Sequence, residues 1–155
     1  MIFIVGGTGK VGHELIKQLA AKNIKAKVLV RSAQKAETVK NLGHEPVEGD
    51  FTKPSTFEAA LHGITELFLL TTYHEPEAWA ANEIAIIDSA KKAGVKKVVL
   101  LSAAGSALNS KMALGKLHAK IEEHLKKSGL SYTILQPTGF TQNLLGQIAT
   151  IKQGA

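Results

Sequence analysis

The 155-residue sequence has no cysteine, and only 5% of its residues are aromatic. Without cysteine there is no disulfide scaffold, no thiolate metal site and no thiol nucleophile, and the absence is compatible with a reducing compartment. No apolar run is long enough to span a bilayer, so no membrane association is expected. Internal repeats at solenoid period, low-complexity tracts and linkers are also missing. The six histidines (His13, His44, His62, His74, His118 and His124) have no HExxH-type spacing, and "HEPE" at 74–77 reads as a helix start, so no metal is expected. An excess of 19 Lys and Arg over 13 Asp and Glu gives a net charge of +6. Those charges are scattered, as at Lys17, Lys40, Lys92 and Lys127, with no aromatics interleaved, which argues against nucleic-acid binding.

What is present is apolar: 45% of the residues, enough for one domain to bury a continuous core unaided. Ile2 to Val5 already reads as a strand, so a cleaved secretory leader is not expected and the cytoplasm is the default location. Short β-rich runs recur at 2–5, 25–30, 45–49, 66–70, 97–101 and 132–136. Helical patterns fall between and after them, at 10–22, 33–42, 54–61, 77–93, 111–128 and 140–151. Strict alternation, with runs such as "KVVLL" apolar on both faces, predicts an α/β fold: a doubly wound, Rossmann-like parallel sheet of about six strands with helices on both faces. Gly43, Gly63, Gly94 and Gly129 each follow a helical pattern, where a left-handed cap favours glycine. Pro54 and Pro76 sit at helix starts.

The first strand runs into "GGTGKVG", with Gly6, Gly9 and Gly12 directly before a helix. In a first βα unit this spacing allows a tight turn, a close backbone approach to a pyrophosphate and close helix packing, while free N–H groups at the helix start supply an anion site. A dinucleotide is the expected ligand. The second strand ends in "VLVRS", placing Arg31 where an NAD-preferring site carries a carboxylate, with Lys35 one helical turn on. A guanidinium holds a 2′-phosphate through charge-assisted bonds, so NADP(H) is expected in preference to NAD(H). Asp50, in "EGDF", either accepts a bond from the adenine amino group or caps the helix starting near Pro54.

Together "GGTGKVG", "VRSAQKA", "GDF", "LLSAAG" and "LGKLHAKIEEHLKKSGLSYTILQPTGFTQN" resemble the NmrA-like, atypical branch of the short-chain dehydrogenase/reductases. Its small NADPH-dependent quinone reductases are the most similar. The resemblance covers residues 1 to about 150 and implies an extended Rossmann protein that binds NADP(H); the family contains both reductases and redox-sensing regulators. It places Gly6, Thr8, Gly9, Lys10, Val11 and Gly12 at the pyrophosphate, Arg31 at the 2′-phosphate, and Asp50 with Phe51 at the adenine. Thr71, Thr72, Tyr73, Ser102, Ala103 and Ala104 fall near the nicotinamide ribose. Pro137 to Phe140 follow the sixth strand, with Asn143 beyond. Gln136 departs from the family's usual Arg, and the chain is expected to lack most of the C-terminal substrate-binding part.

Ordinary short-chain dehydrogenases pair a Tyr with a Lys four residues later. Alignment places Leu114 and His118 at those positions, so that relay is absent. His118 and Glu122, four apart, remain. With Leu114, Leu117, Ile121 and Leu125 as the buried stripe, His118 falls on its edge and Glu122 one step further out. An imidazole fixed by that carboxylate could protonate an acceptor oxygen; alternatively, His118 is a structural, hydrogen-bonded histidine. Ser102 contacts the substrate or caps its loop, and Tyr73 replaces the missing phenol or packs on the cofactor. Trp79 reads as core or as a contact in a homo-oligomer. The expected function is hydride transfer from NADPH to a quinone-like or small carbonyl substrate. The alternatives are a non-catalytic NADP(H) sensor and a truncated cofactor-binding domain.

Overall fold

The computed structural model describes residues 1–70 and 76–141. Along the chain run β1 (Ile2–Val5), α1 (Lys10–Ala21), β2 (Ala26–Val30), α2 (Ala33–Asn41), β3 (Glu45–Glu48), two 3₁₀ turns (Pro54–Thr56 and Glu58–Leu61), β4 (Glu66–Leu70), α3 (Pro76–Lys92), β5 (Lys97–Leu101), α4 (Ala113–Lys127) and β6 (Ser131–Leu135). The strands form one parallel sheet in the order β3-β2-β1-β4-β5-β6. This is the doubly wound arrangement expected from the alternation. The order in which strands are added reverses between β1 and β4, the point at which sheets of this kind bind ligands beyond the carboxyl ends of their strands.

Side-chain alternation divides the core between the two faces of the sheet. Phe3, Leu29, Leu67, Leu69, Val98 and Leu100 point to one face and are sealed by Trp79, Ile86 and Ile87 of α3 and Ile121 and Leu125 of α4. On the other face Ile4, Val28, Val30 and Leu70 meet Ile16 of α1 and Val39 of α2. Because both faces of the central strands are covered, their sequence is apolar at nearly every position.

One expected helix takes a different form. Residues 54–61 make two 3₁₀ turns broken at Phe57 rather than one α-helix. Phe57 is 1% exposed and stacks on Phe3 with ring centroids 5.7 Å apart. Burying that ring fixes the chain at the break, and so short a segment cannot recover the cost of helix nucleation by itself. The glycine caps are as expected: Gly43, Gly63, Gly94 and Gly129 all have φ between 76° and 84°.

Two buried polar side chains belong to the scaffold. His44 accepts the Ala26 N–H at Nδ1 (3.3 Å), so its Nε2 carries the proton that it donates to the Ile16 carbonyl (2.7 Å). That ring ties the entry of β3 to β2 and α1. Trp79 is 2% exposed, and its indole N–H donates to Glu83 Oε1 at 2.8 Å. It is a core residue, which settles the choice between core and subunit contact.

Candidate functional site

The loop between β1 and α1 shows why each glycine stands where it does. Gly6 has φ +80°, and a Cβ there would lie 2.7 Å from the Leu70 Cβ. At Gly12 a Cβ would lie 2.2 Å from the Gly6 carbonyl oxygen and 2.6 Å from the Gly7 Cα, so α1 can close onto the loop only without a side chain. Gly9 is different. Its φ of −79° and ψ of 177° suit any residue, and the nearest atom to a Cβ would be the Gly6 oxygen at 3.4 Å. Among the described residues nothing requires glycine at position 9, and the backbone there borders open space at the start of α1.

Helix α1 begins at Gly9 with no side-chain cap and no acidic residue in its first turn. Helix geometry leaves the first N–H groups, of Lys10, Val11 and Gly12, without intrahelical acceptors, and the dipole adds partial positive charge. Thr8 and Lys10 flank this terminus; the Val11 side chain packs instead against the second core cluster. An anion with several oxygens fits the donor set.

At the next two strand ends, exposed Arg31 lies with its guanidinium 5.7 Å from the Phe51 ring centroid. Arg31 makes no ion pair among the described residues. Ser32 caps α2 by accepting the Lys35 N–H at 3.3 Å, which places Lys35 in the first turn beyond Arg31. Asp50 Oδ1 accepts the Thr52 N–H at 2.9 Å, closing a local turn. The alternative that Asp50 caps the helix at Pro54 is therefore corrected, since Lys53 holds that position without a side-chain bond. Hydrogen bonds from Thr52, the backbone one foremost, hold the Asp50 carboxyl below the usual range, and the charges of Lys53 and Arg31 act in the same direction.

The loops after β5 and β6 are joined by the Ser102 N–H on the Leu135 carbonyl (2.7 Å) and the Ala104 N–H on the Pro137 carbonyl (2.9 Å). Beneath them Ser102, His118 and Glu122 form a buried polar cluster, which exposed Gln136 and Lys126 reach from its rim. Ser102 Oγ donates to Glu122 Oε1 at 2.6 Å and contacts His118 Nδ1 at 3.2 Å. Gln136 Nε2 donates to the same Glu122 oxygen at 2.8 Å, and Lys126 Nζ reaches the other at 3.4 Å. The His118 and Trp79 rings form a T-shaped pair, with centroids 4.8 Å apart and planes at 90°. Burial opposes ionisation of Glu122, but the bonds from Ser102, Gln136 and Lys126 outweigh it and hold the carboxyl below its ordinary value. Burial lowers the His118 pKa as well, against the opposing pull of Glu122.

Residues 6–155 match the NAD(P)H-binding family. The chain belongs to that family. Among its relatives, the NAD(P)H azoreductase of Xenophilus azovorans is 34% identical over 153 residues, 99% of this chain and 53% of its own. The photosystem II assembly factor Ycf39 of Synechocystis is 32% identical over 154 residues, 96% and 47% of the two chains. Quinone oxidoreductase 2 of Escherichia coli is 32% identical over 149 residues, 94% and 51%. The crystal structure of its NADPH complex superposes with a TM-score of 0.87 at 27% identity, covering 99% of this chain and 55% of that one. The chain thus spans about half the length of the curated relatives it matches. The resemblance to atypical short-chain dehydrogenase/reductases and their NADPH-dependent quinone reductases holds.

Within this NAD(P)H-binding fold several expectations about α4 are corrected. Glu122 is 4% exposed rather than further out than His118, and Leu114, expected in the buried stripe, is 37% exposed. Helical periodicity weighs residues by polarity alone, whereas three donors make Glu122 compatible with burial and Leu114 sits in the first turn of α4. Glu122 does not grip His118 directly; the Ser102 hydroxyl stands between them, so that hydroxyl is not simply a loop cap. Thr71, Thr72, Tyr73 and Asn143 lie outside the described residues, as does most of the expected helix at 140–151. The glycine spacing does not single out Gly7, although a Cβ there would lie 2.5 Å from Val28 Cγ1. In the sequence Gln136 stands out only as a departure from the family's usual Arg; its position two residues after inward-facing Ile134 is the available signal. Among the described residues no helix is long and apolar enough to cross a membrane, and no three potential metal ligands gather.

Proposed function

We propose that this chain binds NADP(H) in preference to NAD(H) and serves hydride transfer to a quinone-like or small carbonyl substrate. The observation that carries the cofactor preference is Arg31, an exposed guanidinium at the end of β2 with no ion pair among the described residues. A 2′-phosphate answers that charge, and Lys35 adds to it; a carboxylate at the same point would repel it. In this reading the start of α1, with Gly6, Thr8, Gly9 and Lys10, takes the pyrophosphate, and Asp50 and Phe51 take the adenine. Thr71, Thr72, Tyr73, Ser102, Ala103 and Pro137 surround the nicotinamide end.

Bound NADPH supplies the hydride. A quinone-like acceptor asks little of side-chain acids, since it is electrophilic and its reduced oxygens take protons from water. Leu114 in place of the usual Tyr is compatible with such a substrate. The azoreductase and quinone oxidoreductase relatives support the same reaction class.

Calorimetric titration tests the cofactor assignment. The parent is expected to bind NADPH more tightly than NADH, and Arg31→Ala to weaken NADPH about 10- to 100-fold while leaving NADH nearly unchanged. Equal losses for both cofactors would refute the assignment. NADPH oxidation followed at the nicotinamide absorbance band, with quinones, azo compounds and small aldehydes, tests the reaction. The Ycf39 relatives favour a second reading, an NADP(H)-responsive protein that binds partners without turnover. Unequal affinity for NADPH and NADP⁺ with no oxidation by any acceptor would support it.

A further inference from the structure

The hydrogen atoms of the buried cluster can be assigned one by one. Ser106 spends its only hydroxyl proton on the Ala103 carbonyl at 2.6 Å. Ser102 spends its own on Glu122 Oε1 at 2.6 Å. Glu122 receives two further donors, from Gln136 and Lys126, and is therefore the ionised acceptor at the centre. Ser102 Oγ then has only lone pairs to offer His118 Nδ1 at 3.2 Å, so Nδ1 must carry the proton. In the neutral ring Nε2 is left as a bare acceptor. His118 is 6% exposed, and Nε2 takes no partner among the described residues.

We propose that the chain Gln136–Glu122–Ser102 fixes His118 as the Nδ1–H tautomer, so that Nε2 accepts a hydrogen bond from an N–H or O–H donor of the bound ligand. His118 is then a binding group and not the proton donor of the reduction, and Gln136 is a positioning residue acting through Glu122 and Ser102. The ligand group that fits is a ribose hydroxyl or a carboxamide NH₂, which places the inference on the NADP(H) reading above. The charged groups around the ring agree with a neutral imidazole. Glu122 is neutralised by Lys126 on α4, Glu83 on α3 is engaged by the Trp79 indole, and the β5 and β6 loops present Ser102, Ser106 and Gln136.

Long-range ¹H–¹⁵N correlation spectra of the labelled 155-residue chain report the tautomer directly. At neutral pH the His118 Nδ1 is expected to resonate as protonated and Nε2 as unprotonated, and addition of NADP⁺ should shift Nε2 towards the hydrogen-bonded range while Nδ1 stays put. Gln136→Leu and Glu122→Gln should introduce the Nε2–H tautomer and weaken NADP⁺ about fivefold. An Nε2–H ring in the parent, or a fully ionised one at neutral pH, would overturn the proposal without any variant having to fold. So would an Nε2 resonance that ignores NADP⁺ under conditions where calorimetry shows binding. Failure of NADP⁺ to bind at all would instead sink the cofactor reading, and with it the ligand partner assigned to Nε2, while leaving the tautomer to be read on the free protein.

Discussion

Gly9 and Gly12 belong to one loop, yet alanine at the two positions should produce opposite defects. At Gly12 the added methyl would sit 2.2 Å from the Gly6 oxygen, 2.6 Å from the Gly7 Cα and 2.8 Å from the Gly7 carbonyl carbon. All three atoms are backbone, so α1 must lift off the loop by roughly 1 Å to restore ordinary contact. Overpacking of that kind costs about 1–3 kcal/mol, and the position lies at the upper end because no side chain can turn aside. Removing a helical glycine returns up to about 1 kcal/mol. The net is a destabilisation of about 2 kcal/mol, or a fall in Tm of roughly 4–8 °C for a chain of this length. At Gly9 the same methyl meets, among the described residues, only the Gly6 oxygen at 3.4 Å, in a backbone conformation that alanine adopts freely. The small N-cap preference for glycine over alanine and the reduced unfolded-state entropy oppose each other, leaving stability within about 0.5 kcal/mol of the parent. NADP(H) affinity, however, should fall at least about tenfold, because on the proposed reading the methyl would occupy the space through which the backbone meets the pyrophosphate. Thermal unfolding by circular dichroism and NADPH calorimetry on both variants form the assay. An unchanged Tm for Gly12→Ala would refute the packing argument, and undiminished NADPH binding by Gly9→Ala would refute the ligand argument.

Acid unfolding should proceed in two separable parts. His118 has its pKa lowered in the fold, so the unfolded chain binds the extra proton first; stability therefore starts to fall as the pH drops below the ordinary histidine range, and this part saturates below the lowered value. The lowered carboxyl of Glu122 stabilises the fold above the ordinary glutamate range, and that contribution is lost as the pH falls through it to the folded value. Urea midpoints measured from pH 8 to pH 3 should lose the upper part in His118→Gln and the lower part in Glu122→Gln; a variant whose profile parallels the parent's contradicts the assignment for that residue. Trp79→Phe removes the indole N–H from Glu83 Oε1 and leaves a small void beside His118. A loss of about 2–4 kcal/mol is expected by urea unfolding, and a loss under 0.5 kcal/mol would mean that the pair contributes little.

The order of elements was legible because its signals are local. Strand runs such as "KVVLL" need both sheet faces covered, and a left-handed glycine follows α2, the second 3₁₀ turn, α3 and α4, whereas α1 ends on left-handed Asn23. The stretch from Pro54 to Leu61 misled for the opposite reason, since its geometry is set by where the Phe57 ring is buried, 54 residues along the chain from its partner Phe3.

For the candidate site the division is similar. The glycine spacing and Arg31 at the end of β2 are properties of the sequence alone: contiguous residues in a βα unit meet in any chain that forms it, and the charge of one exposed side chain needs no partner to be read. The polar cluster is a tertiary fact. Ser102, His118, Glu122 and Gln136 come from a β5 loop, a helix and the end of β6, and only the parallel pairing of β5 with β6 brings them within hydrogen-bond distance. Burial of a carboxylate depends on how many donors converge on it, and that number is decided by elements distant in sequence. Which nitrogen of His118 bears the proton follows from the same convergence.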